Sequence, residues 1–114
     1  MNKKIIGSWG ENIAKEYLKT KGYAILETNW HHHHKELDII AYKNGLIGVE
    51  VKTRKNNTDL AFTVLKSNQV SRLRLALRAY CLLHSLNYSQ TKLDLIVIKI
   101  KSTNTVGLKH YHDL

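Results

Sequence analysis

The stretch KELDIIAYKNGLIGVEVKTR, residues 35–54, reads as two strands joined by a turn. ELDIIAY (36–42) and LIGVEVKTR (46–54) are rich in β-branched residues, and Lys43-Asn44-Gly45 between them is a hairpin signal. Side chains alternate faces along a strand. On the first arm Glu36, Asp38 and Ile40 therefore share one face, with Leu37, Ile39 and Ala41 on the other. On the second arm Gly48, Glu50 and Lys52 share a face, with Ile47, Val49 and Val51 behind them. If that strand is central, the carboxylate and the amine set between valines are partly buried. Unpaired burial costs several kcal/mol, so Glu50 and Lys52 need partners or a metal.

Register determines whether the acids meet. A two-residue Asn44-Gly45 turn would put Asp38 opposite Val51, with the acids on different faces. A three-residue loop, a type I turn followed by a left-handed Gly45, puts Asp38 opposite Glu50 and Glu36 opposite Lys52. Opposite Cβ atoms lie about 4.5–5.5 Å apart. Two carboxylates that close repel each other unless a cation lies between them. The burial argument selects the three-residue loop. Two carboxylates suit a hard ion such as Mg²⁺ or Mn²⁺. Such an ion lowers the pKa of a bound water and neutralises charge on a phosphodiester. Lys52 is placed to position that water or to stabilise the transition state. The bland alternative is a Glu–Lys salt-bridge ladder across the hairpin.

Outward from the hairpin, residues 5–21 carry Ile13, Ala14, Tyr17 and Leu18 at helical spacing, with Gly22 as a stop. Glu11 falls on the apolar side of that helix, where it either completes the acid site as a further ligand or faces the helix dipole. YAILET (23–28) reads as a first strand, and Asn29 to Lys35 as a loop. NNTD (56–59) is a polar loop. A long helix runs from Ser67, its N-cap, to Leu86. KLDLIVIKI (92–100) is a strand covered on both faces, and 105–111 adds a short edge strand. The order is α-β-β-β-α-β with a final short strand, in a single domain over residues 1–114.

The composition fits that reading. Among 114 residues, 43% are hydrophobic and 24% charged, which suits one soluble domain with one core. Eighteen Lys and Arg against nine Asp and Glu give a net charge of +9, which calls for a polyanionic partner, nucleic acid above all. No apolar run reaches the roughly 18 residues of a membrane span. The N-terminal MNKKIIGSWGEN is too short in apolar residues for a signal peptide. A cytoplasmic location, with no membrane partner and no small-molecule cofactor, is the expectation. The single cysteine, Cys81, lies in an apolar stretch and reads as a buried thiol.

The residues Gly7-x-x-Gly10-Glu11, Ala14, Tyr17-Leu18, Gly22-Tyr23, Asn29, Glu36-Leu37-Asp38 and Val49-Glu50-Val51-Lys52-x-Arg54 resemble the YraN-type family of small bacterial proteins. That family is similar to the archaeal Holliday-junction resolvases of the PD-(D/E)xK nuclease superfamily. The resemblance covers roughly residues 7–100. It implies an α/β, restriction-endonuclease-like three-layer fold with a mixed central sheet flanked by helices. It also implies that Asp38, Glu50 and Lys52 are catalytic, and that Glu11 is the helical acid. Asp38, Glu50 and Glu11 would then hold the metal. Lys66 and Asp94 fall where the family tends to have a lysine and an aspartate. Departures are Lys35 for a glycine, Leu37 for the superfamily's proline, and HHHH at 31–34 for arginine or aromatic residues. The implied activity is a metal-dependent endonuclease on DNA, including branched or structured DNA. A nucleic-acid-binding module with this fold and no useful catalysis is the alternative.

The remaining cations read as nucleic-acid contacts: Arg54, Lys55 and Lys66 near the site, with Arg72, Arg74 and Arg78 along the long helix as a phosphate track or, equally, a solvated basic face. His31 to His34 read as a solvated loop that meets phosphate when protonated, ahead of a metal site. Val70, Leu73, Leu77 and His84 form the core stripe of the long helix, and Leu75, Ala79, Leu82 and Leu86 a second one. A helix apolar on two sides is well buried or part of a homodimer interface.

Overall fold

A computed structural model describes residues 2–55 and 66–114. The polar loop expected at 56–59 lies outside the described residues. The elements are α1 (Lys3–Thr20), β1 (Ala24–His32), β2 (Lys35–Tyr42), β3 (Leu46–Lys55), α2 (Ser67–Leu83), a short 3-10 turn (Tyr88–Gln90), β4 (Lys92–Ser102) and β5 (Thr105–Tyr111). The strands form one sheet in the order β1-β2-β3-β4-β5. All neighbours are antiparallel except β3 and β4, which are parallel and joined by the crossover that contains α2.

The two helices cover opposite faces, because the strands are apolar on both. Ala14 and Leu18 of α1 pack with Ile39, Ala41, Ile47, Val49, Val51, Ile96 and Ile98. Leu73, Ala76, Leu77, Tyr80 and Cys81 of α2 pack with Leu37, Ile40, Leu46 and Leu93. The fold is thus a three-layer α/β arrangement around a mixed sheet, as the motifs led one to expect. Cys81 is buried. Among the described residues, no helix is long and apolar enough to cross a membrane.

The hairpin has the three-residue register: Tyr42 pairs with Leu46, Ala41 with Ile47, Ile40 with Gly48 and Ile39 with Val49. The turn reaches it by another backbone route. The left-handed residue is Asn44 (φ 56), and Gly45 sits at φ 152, a region open to glycine at little steric cost.

Four expectations are corrected. β1 continues through Trp30, His31 and His32, leaving His33 and His34 as the turn into β2. Trp30 pairs with Leu37 and meets Tyr80 edge-on, which pulls the expected loop into the sheet. Leu37 packs on the α2 side and not with Ile39 and Ala41, because β2 loses its pairing with β3 beyond Ile39 and turns there. The N-cap of α2 is Lys66, whose amide donates to Gln69 Oε1 at 3.1 Å. That helix stops at Leu83: Ser85 takes a left-handed φ of 55, the Leu86 amide returns to Cys81 O at 2.8 Å, and His84 is exposed.

Candidate active site between two diverging strands

Beyond the Ile39–Val49 pair, β2 and β3 part company. β2 stays with β1 as far as Lys35, while β3 stays with β4 as far as Lys55. Asp38 is the first residue past the split. Its Oδ2 accepts the Val51 amide at 2.8 Å, so a side chain replaces the lost backbone bond. That bond holds the Asp38 carboxyl against β3, beside Glu50.

Glu50 is pushed up to about 8. Burial is the largest cause, followed by the Asp38 charge and side-chain hydrogen bonding with Asp38, and Lys52 opposes them. Lys52 Nζ lies 3.1 Å from Glu50 Oε2, with the two side chains 20% and 16% exposed. The Glu–Lys pair of the salt-bridge reading therefore exists, but it runs along one strand and leaves Asp38 and Glu50 facing each other. Two half-buried carboxyls side by side are a donor set suited to a hard divalent cation.

A cavity of about 350 Å³ opens on this cluster from the α2 side. Asp38, Glu50 and Lys52 line it together with His34, Gln69 and Arg72. On the α1 side a smaller recess of about 70 Å³ joins Asp38 to Glu11. Glu11 gets there because α1 approaches β3 closely at Gly10, where any Cβ would overlap the Thr53 side chain. Burial, then Asp38 and Glu36, raise the Glu11 pKa above its usual value. Glu11 is nonetheless outside the tight cluster: among the described residues, Glu11, Asp38 and Glu50 do not form a set of ligand atoms all within 4.8 Å of one another.

The cations expected to hold nucleic acid are divided. Arg72 lines the larger cavity. Lys55 and Lys66 are exposed near it in sequence, and Arg54 Nη1 donates to Thr53 O at 3.0 Å. Arg74 and Arg78 point elsewhere: Arg74 donates to the Leu114 carbonyl, and Arg78 sits 4.8 Å from the Tyr88 ring centroid. They are two and six residues from Arg72 on α2, which rotates Arg74 to the far side. The expected continuous track is thus broken after Arg72. His31 contacts Glu36 at 3.0 Å and Asn29 O at 2.8 Å, and His32 stacks on Trp30.

One set of metal-type groups was missed in sequence. Asp94, His110 and His112 offer ligand atoms all within 4.8 Å of one another, on the α1 face of β4 and β5. The signal available was His-x-His in the last strand, which places two imidazoles on one face.

The family model described as "Uncharacterised protein family UPF0102" matches residues 10–98. A UPF0102 protein of Tropheryma whipplei (strain Twist) is 33% identical over 97% of this chain and 93% of its own length. One from Flavobacterium psychrophilum is 34% identical over 95% of this chain and 91% of its own length. Among solved structures, the one titled "Crystal structure of SSO0001" covers 99% of this chain at 17% identity and a TM-score of 0.40. Pyrococcus furiosus SfsA, solved in complex with Ca²⁺, covers 98% at 13% identity and a TM-score of 0.43. This chain spans 53% and 64% of those two chains.

Proposed function

The chain belongs to the uncharacterised protein family UPF0102, and from its site geometry we propose that it is a divalent-metal-dependent endonuclease that hydrolyses phosphodiester bonds in DNA, branched or structured forms included. The observation that carries this reading is the Asp38–Glu50 pair: two half-buried carboxyls lining one cavity, with an amine 3.1 Å from Glu50, in a chain of net charge +9.

Asp38 and Glu50 would hold Mg²⁺ or Mn²⁺, with Glu11 set back in the α1-side recess beside Asp38. When bound, the ion supplies Lewis acidity toward water and toward the phosphodiester. The rest of the chemistry belongs to the chain. Asp38, fixed by the Val51 amide, lines the cavity. Glu50 has to lose its proton to act as a ligand. Lys52 holds a positive charge at the cavity wall, where it stabilises the charge that builds on the phosphoryl oxygens. Arg72 and His34 line the same cavity and meet the phosphates that flank the scissile one. Arg54, Lys55 and Lys66 extend the basic surface. The +9 charge draws the polyanion in and makes binding salt-sensitive.

The test is cleavage of linear duplex, flap and four-way-junction DNA, and of RNA of matching form, with Mg²⁺ or Mn²⁺. Wild type is compared with Asp38→Asn and Lys52→Ala. The reading expects metal-dependent cleavage of at least one DNA form, reduced at least a hundredfold in each variant. Salt-sensitive binding with no cleavage would instead identify a nucleic-acid-binding module. Cleavage undiminished in both variants would remove Asp38 and Lys52 from the mechanism.

A further inference from the structure

The second cluster lies on the opposite face of the sheet from the cavity, under α1. In the antiparallel register of β4 and β5, Leu95 pairs with Tyr111 and Ile96 with His110. One step further along, His112 comes opposite Asp94, so Asp94, His110 and His112 all face the same way. His110 Nε2 lies 2.8 Å and His112 Nδ1 3.5 Å from the same oxygen, Asp94 Oδ2. The two imidazoles stack at 3.7 Å between centroids. Asp94 and His110 are nearly sealed, with side chains 2% and 5% exposed, while the His112 side chain is 63% exposed.

A purely structural hydrogen bond needs one imidazole on a carboxylate. Here two converge on one oxygen, with their rings stacked on each other. The geometry has the parts of a metal site: three ligand atoms within 4.8 Å of one another, two of them fixed by burial, and an open mouth at the third. The outer partners are present as well. Tyr17 Oη lies 2.9 Å from His110 Nδ1 and orients that ring. The Asp113 amide donates to Asp94 Oδ1 at 2.9 Å and leaves Oδ2 for the ion. Metal-bound histidines ordinarily have such a partner on the other ring nitrogen. Two imidazoles and one carboxylate suit zinc-class ions better than Mg²⁺.

We propose that Asp94, His110 and His112, brought together across β4 and the end of β5, form a binding site for a zinc-class divalent ion, separate from the acid pair at Asp38 and Glu50. His110 would present Nε2 to the ion, with Nδ1 facing Tyr17 Oη. The ion ties the C-terminal strand to the sheet and, through Tyr17, to α1.

Calorimetry with Zn²⁺ and the visible spectrum of bound Co²⁺ test this on the whole chain. Because His31 to His34 also attract such ions, the comparison is made in a chain with those four changed to Ser. That chain is expected to bind one equivalent, with the absorption of Co²⁺ at nitrogen and oxygen ligands, and Zn²⁺ should raise its unfolding temperature. Adding His112→Ala, at an exposed position that leaves the metal-free fold intact, should weaken binding at least tenfold and abolish the thermal shift. Asp38→Asn should change neither. Loss of all binding with the four-Ser change, or undiminished binding in His112→Ala, would overturn the proposal.

Discussion

Glu50 and Asp94 are carboxylates on adjacent strands of one sheet, Asp94 buried and Glu50 half-buried, and they are held in opposite ways. Asp94 is surrounded by donors: His110 Nε2, the Asp113 amide and, further off, His112. Burial alone would raise its pKa, but the His110 and Asp113 bonds and the charges of the two histidines outweigh it and keep Asp94 below the usual carboxylate range. Glu50 has one donor, Lys52, and faces a second carboxyl, so it is pushed up to about 8. The difference teaches that burial does not decide a carboxylate's role; what faces it does. A carboxylate that faces donors is held ionised. One aimed at another carboxylate stores a demand for a cation.

The largest expected effect breaks the settled side. Asp94→Ala strands the buried His110 N–H and the Asp113 amide, and should cost about 3 kcal/mol in urea unfolding at neutral pH without metal. Glu50→Gln removes no such support and should be neutral or stabilising at pH 8. The same Asp94→Ala loss observed for Glu50→Gln would erase the contrast.

pH comes next, and the two groups predict opposite limbs. The folded pKa of Glu50 lies above its ordinary 4.5, so the folded chain keeps a proton that the unfolded chain releases. Metal-free stability should therefore be highest near or below pH 4.5 as far as Glu50 is concerned. It should decline toward pH 8, by at most about 1.4 kcal/mol per pH unit. Glu50→Gln should flatten that decline. Asp94, whose folded pKa is depressed below 3.8, contributes stability above that pH and loses it as the solution becomes more acidic. Thermal unfolding with a chelator, scanned across pH for wild type and both variants, separates the limbs.

The smallest effect concerns the divided arginines. Arg72 lines the cavity, while Arg78 stacks over Tyr88. Arg72→Ala should lower the slope of log binding constant against log salt for duplex DNA by about one. Arg78→Ala should leave the slope unchanged and cost about 0.5–1 kcal/mol of stability. Equal slopes for the two would restore the continuous track that the helix geometry breaks.

Much of this was legible in the residues. Alternation in ELDIIAY and LIGVEVKTR, and the burial of charge that it implies, led to the register and to the Asp38–Glu50 encounter. The parting of β2 from β3 was not legible, because it depends on Asp38 taking a backbone amide from Val51 across the hairpin. Trp30 and the four histidines after it read locally as a loop, yet its contact with Tyr80 is between segments fifty residues apart. The same limit hid the Asp94 cluster: His-x-His is a local pattern, but its partner aspartate lies across a strand pairing. The arginine track breaks because Arg74 and Arg78 leave the face of α2 from which Arg72 lines the cavity.

The most direct test of the acid pair is calorimetry with Mn²⁺ at pH 8, on the chain carrying His112→Ala so that the second cluster is silenced. Wild-type acids should bind one Mn²⁺ with release of a fraction of a proton, and Glu50→Gln should weaken that binding at least tenfold. Mn²⁺ held equally well by Glu50→Gln would contradict the account and leave Glu50 and Lys52 as a buried salt bridge.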